Sequence, residues 1–251
     1  MCLILFSYNQ HPKYPLILAA NRDEFLNRPT APAALWDDHP GLIAGRDLKA
    51  GGTWMGVTAN LRFAAITNYR DPTSEKKNAP SRGHLVLDYL RDDMHPEAYL
   101  EVLNKKADDY NGFNLLLGSG RGLWYYSNRE NLVRKVAPGI HGLSNHLMNT
   151  PWPKVERGKA ELSTIAANEA IDSDALITML KDPQIAPDEA LPSTGVPLEW
   201  ERILSPMFIQ APNYGTRVST ALLIDKAGGV TFVERTIGQG NNPDSEVTHT
   251  L

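Results

Sequence analysis

The single cysteine of the chain is Cys2, directly after the initiator methionine. Because methionine is readily removed before a residue as small as cysteine, we expect the mature chain to begin with Cys2. Such a residue carries a thiol nucleophile and an α-amine whose unperturbed pKa of about 7.7–8.0 suits a general base. A thiol with an unperturbed pKa of about 8.5 is only partly ionised at neutral pH, so a nearby cation is expected, and Arg22 is the candidate. The alternative is that Cys2 only packs as a small apolar residue on a strand.

Four polar residues, Asn21-Arg22-Asp23-Glu24, follow an apolar run at 15–20. This run and residues 2–8 predict two antiparallel strands joined at His11-Pro12-Lys13, a hairpin that would bring the four residues beside Cys2. Charges buried there must pair or take part in chemistry. On a strand, Arg22 and Asp23 are expected to point to opposite faces.

The pattern of the remaining chain predicts strands and paired helices without regular β-α-β units, which is typical of antiparallel sheets covered by helices. We expect an α+β fold, with two stacked sheets between helical layers, in one domain over 1–251. Residues 25–50 are predicted to be mostly loop with a short strand near 42–44, Ser81 is expected to cap the first helix, and residues 183–200 look like a surface excursion. Further strands are predicted at 53–57, 62–67, 113–118, 122–127, 132–136, 139–144, 205–210, 216–225 and 229–236, helices at 82–90, 96–106, 152–169 and 173–181, and a polar tail from Asn241.

Composition narrows the classes of partner. The formal net charge of -4 and the pI near 6.0 give no reason to expect a nucleic-acid partner. No apolar stretch approaches the roughly 20 residues of a spanning helix, so we expect no stable membrane insertion, and one cysteine suits a reducing cytoplasm. The histidines lack zinc-site spacing, so no metal and no cofactor are expected, and a small-molecule substrate or ligand fits best. Nothing indicates the oligomeric state.

Five ordered motifs support a family resemblance. Ala20-Asn21-Arg22-Asp23-Glu24 resembles the signature of the NRDE family, also called the transport and Golgi organisation protein 2 family. The supporting motifs are Gly45-Arg46-Asp47 with Gly51-Gly52-Thr53-Trp54-Met55-Gly56, Thr67-Asn68-Tyr69-Arg70, Gly142-Leu143-Ser144-Asn145 and Tyr214-Gly215-Thr216-Arg217. The resemblance spans about 2–235. The glycines at 51, 52 and 56 are interpreted as positions of tight turning or close backbone approach rather than phosphate binding.

This family in turn resembles the N-terminal-nucleophile cysteine amidases of the cholylglycine hydrolase and penicillin V acylase group, which implies an αββα four-layer sandwich. In those amidases an Arg and an Asp follow the cysteine, with the Asp on the α-amine, so the resemblance implies such roles for Arg22 and Asp23. The amidase spacing separates the two residues, whereas here they are adjacent, so either Asp23 or Glu24 is left as the amine partner.

The same resemblance assigns the remaining candidate site residues. It implies that Asn68 and Asn145 help to form an oxyanion hole and that Arg217 lies near the thiol. The alternative for both asparagines is a turn or cap near the end of a strand.

Two functions follow from these expectations. The first is hydrolysis of a linear carbon–nitrogen amide bond in a small or acylated substrate by Cys2. The second, implied by the eukaryotic members of the family, is a non-catalytic binding or trafficking protein for haem or a lipid-like ligand, in which haem would be a ligand.

Overall fold

The computed structural model describes residues 2–240 and 242–251. The predicted removal of Met1 and the start of the tail at Asn241 therefore lie outside the described residues. The strands are β1 (Cys2–Tyr8), β2 (Leu16–Phe25), β3 (Thr30–Trp36), β4 (His39–Asp47), β5 (Met55–Thr58), β6 (Phe63–Asn68), β7 (Phe113–Ser119), β8 (Gly122–Ser127), β9 (Leu132–Lys135), β10 (Gly139–Leu143), β11 (Tyr214–Ile224), β12 (Val230–Thr236) and β13 (Ser245–Thr250). The α-helices are α1 (Gly83–Arg91), α2 (Pro96–Asn104), α3 (Pro153–Ala166), α4 (Ser173–Met179) and α5 (Leu198–Ile203), with short 3-10 turns at Pro72–Ser74, Ala107–Asp109 and Asp188–Ala190.

The chain divides into two compact units. The terminal unit holds residues up to 27 together with 138–144 and 148–251, and the central unit holds 28–137 and 145–147. Each unit is built on one sheet, described here by itself. The prediction of a single domain over 1–251 stays a prediction.

The terminal unit contains an antiparallel sheet of strand order β10-β1-β2-β11-β12-β13. Helices α3 and α4 pack on one face of this sheet. Side chains alternate between the two faces along each strand, so every second residue points toward these helices. The core of that face joins side chains of β1, β2 and β11 to apolar side chains of the two helices; its members include Leu3, Leu5, Ile17, Ala19, Ala221, Val155, Leu162, Leu176 and Ile177. The strands that carry Cys2 and the Asn21–Glu24 motif are therefore interior strands of this sheet.

The central unit contains a second antiparallel sheet, in which β3 to β9 lie side by side in chain order. Helices α1 and α2 contribute Leu85, Tyr89, Leu90 and Leu100 to its core. Gly52 allows the start of α1 to approach closely, because a Cβ at Gly52 would lie 2.6 Å from the carbonyl carbon of Gly83. The interpretation of Gly52 as a position of close backbone approach is thus confirmed.

The predicted fold class is confirmed: the chain is α+β, with two antiparallel sheets and accompanying helices. The hairpin of the first two strands, the hairpin of β7 and β8, and the helices α2, α3 and α4 all form where the pattern predicts them. Within the described residues, no helix combines the length and apolar character that a membrane crossing requires.

Several predicted elements are wrong. Residues 25–50 are not mostly loop but form β3 and β4, and the expected polar tail contains the edge strand β13. The predicted strand at 205–210 is instead a mostly buried irregular segment. Ser81 does not cap α1, because the cap position is Arg82 and it makes no side-chain capping hydrogen bond.

Candidate active site around Cys2

Cys2 begins strand β1 and is buried, with 7% of its surface exposed. It lies opposite Arg22 in the antiparallel register of β1 and β2, and Leu3 lies opposite Asn21, so the predicted placement of the polar motif beside the start of the first strand is confirmed. On its other side, the Ser144 hydroxyl donates to the Cys2 carbonyl oxygen at 3.4 Å. Burial raises the pKa of the Cys2 thiol. The negative charges of Asp23 and Glu24 raise the same pKa further, and the positive charge of Arg22 lowers it.

The Asn21–Glu24 motif lies within β2 rather than after it, so its side chains alternate between the two faces of the sheet. Arg22 and Glu24 share a face, and Arg22 Nη2 lies 3.5 Å from Glu24 Oε2. Glu24 Oε1 also accepts a hydrogen bond from the Phe25 amide at 2.9 Å. Arg22 is thus held by an adjacent carboxylate on the strand that pairs with Cys2.

Arg217 lies at an irregularity in β11, where the pairing with β2 shifts register between Thr216 and Val218. Bulges of this kind redirect a side chain and are frequent next to active sites. Arg217 Nη1 donates to the carbonyl oxygen of Phe25 at 3.0 Å. Burial and the positive charge of Arg22 lower the pKa of Arg217, so the two guanidinium groups are electrostatic neighbours.

Asp23 points to the opposite face from Arg22 and is almost fully buried. Its Oδ1 accepts a hydrogen bond from the Thr216 hydroxyl at 2.8 Å, and its backbone carbonyl accepts one from the Tyr214 hydroxyl at 3.0 Å. Burial raises the pKa of Asp23, and the strongest opposing influence is the positive charge of Lys154. Glu24 and Asp23 therefore lie on different faces of the terminal sheet. That one of them, Asp23 or Glu24, contacts the α-amine of Cys2 stays a prediction.

Lys154 was not among the sequence candidates, although it is 2% exposed in the first turn of α3. Its ammonium donates to the Leu204 carbonyl oxygen at 2.9 Å. A signal was present in the sequence, because Lys154 is four residues before Gly158 and eight before Leu162, both buried positions of α3. A charged residue at a core position of a helix must be paired, and here it lies on the face of the sheet that carries Asp23.

Asn68 and Asn145 come together in the central unit. Asn68 is the last residue of β6. Asn145 follows β10, and its side-chain amide donates to the Asn68 carbonyl oxygen at 3.0 Å. The Arg70 amide in turn donates to the Asn145 carbonyl oxygen at 2.7 Å.

The structure thus places Cys2, Arg22, Asp23 and Arg217 on three adjoining strands of the terminal sheet, with Asp23 on the opposite face from Arg22, and it brings Asn68 and Asn145 together in the central unit. Their catalytic roles stay predictions. Within residues 2–240 and 242–251, there is no group of three or more His, Cys, Asp or Glu side chains with the geometry to hold a metal ion.

Gly215 lies next to Thr216 and Arg217, and its lack of a side chain is required there. A Cβ at this position would lie 2.7 Å from the backbone oxygen of Ile209, to which Thr216 donates its amide at 2.9 Å. We expect Gly215→Ala to lower the free energy of unfolding by about 1–3 kcal/mol, since backbone must move to relieve the overlap. Urea unfolding measures this. Gly120→Ala is the control, because a Cβ there meets nothing within 4 Å; equal loss in both variants would contradict the steric explanation.

Arg22 and Glu24 act on the Cys2 thiol in opposite directions. Arg22→Met is expected to move the midpoint of Cys2 alkylation against pH upward, and Glu24→Gln to move it downward. One pKa unit changes the thiolate fraction about tenfold, so Arg22→Met would slow alkylation at pH 7 by up to about tenfold. The rate of iodoacetamide modification against pH measures both. Shifts in the same direction would show that the variants act through altered packing instead.

Comparisons with known proteins agree with the motif resemblance. The family described as Transport and Golgi organisation 2 matches residues 1–239. The Mus musculus Transport and Golgi organization 2 homolog is 36% identical over 94% of this chain and 93% of its own length, and the Bos taurus homolog is 38% identical over 97% and 95%. Transport and Golgi organization protein 2 of Drosophila melanogaster is 30% identical over 98% of this chain and 95% of its own length.

Among solved structures, the Caenorhabditis elegans N-acylethanolamine-hydrolyzing acid amidase ortholog is similar with a TM-score of 0.49 and 9% identity, covering 88% of this chain and 92% of that one. The match of the family to nearly the whole sequence, together with relatives of 30% identity or more over nearly their full length, decides membership. The chain belongs to the Transport and Golgi organisation 2 family.

Proposed function

We propose that the protein is an N-terminal-cysteine hydrolase that cleaves a linear amide bond of a small or acylated substrate. The observation that carries the proposal is the position of Cys2, buried at the start of β1 and directly opposite Arg22, with Asp23 adjacent on β2. A cysteine that only packed in the core would have no need of these charged neighbours, whose burial is costly. A reducing compartment such as the cytoplasm suits a reaction that depends on a free thiol.

The burial of the thiol explains why a base is needed. Because burial raises the pKa of the Cys2 thiol, little of it is ionised at neutral pH, and a base must remove its proton before it can attack. After loss of Met1, the α-amine of Cys2 takes this proton, and the thiolate sulfur attacks the substrate carbonyl carbon. The resulting ammonium then protonates the leaving nitrogen, the carbon–nitrogen bond breaks, and an acyl thioester remains on Cys2. Water, deprotonated by the same amine, attacks the thioester and releases a carboxylic acid with the free thiol.

The neighbouring residues have roles that follow from charge. Arg22 stabilises the thiolate, and Glu24 holds Arg22 at 3.5 Å. Either Asp23 or Glu24 is the predicted partner of the α-amine; Asp23 accepts a hydrogen bond from the Thr216 hydroxyl and is opposed in charge by Lys154. Asn68 and Asn145 are the predicted amide donors to the oxyanion, a role in which removal of one donor typically costs about 100- to 1,000-fold in kcat.

A panel of small linear amides with varied acyl groups tests the proposal. The release of free amine is followed at pH 7 by derivatisation, with the purified chain whose loss of Met1 has been established by intact mass. We expect release of amine from at least one class of substrate, and a stoichiometric burst of amine if thioester hydrolysis is the slow step. Absence of turnover and of a burst with every acyl class would overturn the proposal.

The names of the relatives refer to transport and Golgi organisation, and they keep the binding alternative as a second prediction for this chain. Haem titration followed by absorbance separates the two. A shifted Soret band at a one-to-one ratio, together with no amide turnover, would favour the binding protein. Unchanged haem absorbance with amide turnover would favour the hydrolase.

A further inference from the structure

Asn114 is a fully buried asparagine near the start of β7, in the interior of the central sheet. Its side-chain amide donates to the Thr67 hydroxyl and to the His146 carbonyl oxygen, both at 3.0 Å. Its Oδ1 accepts a hydrogen bond from the Tyr125 hydroxyl at 2.8 Å. The two hydrogens of the amide and one of its acceptor sites are thus all used, which fixes the orientation of the side chain.

The bond to His146 matters because His146 directly follows Asn145. Asn145 is bonded to the end of β6 and to the residues just after it: its side-chain amide donates to the Asn68 carbonyl oxygen, and its own carbonyl oxygen accepts from the Arg70 amide. The ring of His146 also contacts that of Tyr69 in a tilted arrangement, with centroids 4.8 Å apart. The 145–147 segment is therefore held from the β6 side by these contacts and from β7 by Asn114.

Burial makes it costly to leave any polar group of this network without its partner. Asn114, Thr67 and Tyr125 are each fully buried, and a buried polar group left without its partner is destabilising. A fully bonded buried network of this kind holds its members in one arrangement. Core packing alone would be served by an apolar residue of the same size, so the polar choice at position 114 requires an explanation.

We propose that Asn114 is a positioning residue that holds the 145–147 segment and thereby fixes the orientation of the Asn145 amide. The inference rests on the proposed function, since Asn145 is there a donor to the oxyanion. Asn114 acts through Asn145 and is not itself a catalytic residue. An oxyanion donor displaced by about 1 Å is expected to reduce kcat about 10- to 100-fold while KM changes little, because the donor acts mainly in the transition state.

Asn114→Leu tests the proposal, with Asn128→Leu as the matched control. Asn128 is also buried in the central unit, and its side chain bonds to the Phe113 amide and the Ala107 carbonyl oxygen rather than to the 145–147 segment. Both variants are expected to lose stability by similar amounts. Only Asn114→Leu is expected to lower kcat at constant KM and to accelerate amide hydrogen exchange at Arg70, whose partner is the Asn145 carbonyl.

The two measurements separate failure of the inference from failure of the proposed function. If the wild-type chain hydrolyses no amide, the proposed function fails, and hydrogen exchange still decides whether Asn114 holds the segment. Arg70 exchange that is equal in Asn114→Leu and Asn128→Leu would overturn the positioning role. Should Asn114→Leu fold too poorly for study, Tyr125→Phe removes only the hydroxyl that bonds Asn114, and it is expected to show the same changes at reduced size. No change in either readout for Tyr125→Phe would then count against the proposal.

Discussion

Replacing Cys2 with alanine is expected to reduce amide hydrolysis by at least about 1,000-fold, because the nucleophile is removed while the rest of the site stays in place. Alanine and serine are small enough to allow removal of Met1, so neither substitution blocks processing. Cys2→Ser keeps a hydroxyl and the α-amine, and it is expected to retain only a trace of turnover, since a hydroxyl is a far weaker nucleophile than a thiolate.

Steady-state rates with the best substrate of the amide panel provide the measurement, and intact mass checks the processing of each variant. Thermal unfolding is the control for folding, because Cys2 contributes only a small apolar side chain to the core. Hydrolysis that survives in Cys2→Ala at a tenth of the wild-type rate or more would exclude Cys2 as the nucleophile.

Lys154→Met is expected to lower the free energy of unfolding by about 3–5 kcal/mol at pH 7, because it leaves the buried carboxylate of Asp23 without its main opposing charge. Methionine preserves most of the volume and the apolar stem. The double variant Lys154→Met/Asp23→Asn is the matched control, since it removes both charges, and it is expected to recover most of the stability.

The loss of stability in Lys154→Met is expected to change with pH in a defined direction. Burial raises the pKa of Asp23 in the folded chain above the ordinary value of about 3.9, so the folded state holds the proton over a range in which the unfolded state has lost it. Stability from this group is therefore present below about pH 4 and falls as the pH rises through the folded pKa. Loss of Lys154 raises that pKa further, so the deficit of Lys154→Met relative to wild type is expected to grow between pH 4 and pH 8.

Urea unfolding of wild type, Lys154→Met and the double variant at pH 4, 6 and 8 measures this deficit. A deficit that is constant with pH would mean that Lys154 stabilises the fold by packing alone. A double variant as unstable as the single one would lead to the same conclusion.

The first hairpin shows what local pattern predicts well. Two apolar runs around His11 predicted β1 and β2, and the pairing of Cys2 with Arg22 followed because an antiparallel hairpin brings the start of its first strand beside the end of its second. Parity along β2 then correctly separated Arg22 from Asp23. These inferences needed only contacts that are close in sequence.

The missed strands show where local pattern fails. Pro32 discouraged a strand at β3, but β3 is an edge strand whose pairing is irregular between Ala31 and Ala34, which is where proline is tolerated. The edge strand β13 is polar and exposed, so it carries no apolar alternation. Conversely, the apolar run at 205–210 suggested a strand, but Met207 and Ile209 are buried in an irregular segment whose Met207 carbonyl is bonded by Asn21.

The residues of the candidate site also divide into those that the sequence pattern indicates and those that it misses. Cys2, Arg22 and Asp23 were found from position and charge, whereas Asn68, Asn145 and Arg217 were assigned only through the family resemblance. Lys154 was missed because a lysine in a helix is ordinarily solvated, although its spacing to Gly158 and Leu162 is that of a core position of α3. Asn114 was missed because its partners on β6, on β8 and after β10 are far apart in sequence.

Mass spectrometry of the chain after exposure to an activated acyl probe shows whether processed Cys2 forms an acyl thioester. We expect an intact chain without Met1, one added acyl group, and a modified N-terminal peptide whose label is on Cys2 and is absent from Cys2→Ser. Retention of Met1 would contradict the proposed mechanism, because the α-amine of Cys2 would then be unavailable as a base. Equal labelling of the wild type and Cys2→Ser would contradict it as well, because the reactive group would lie elsewhere.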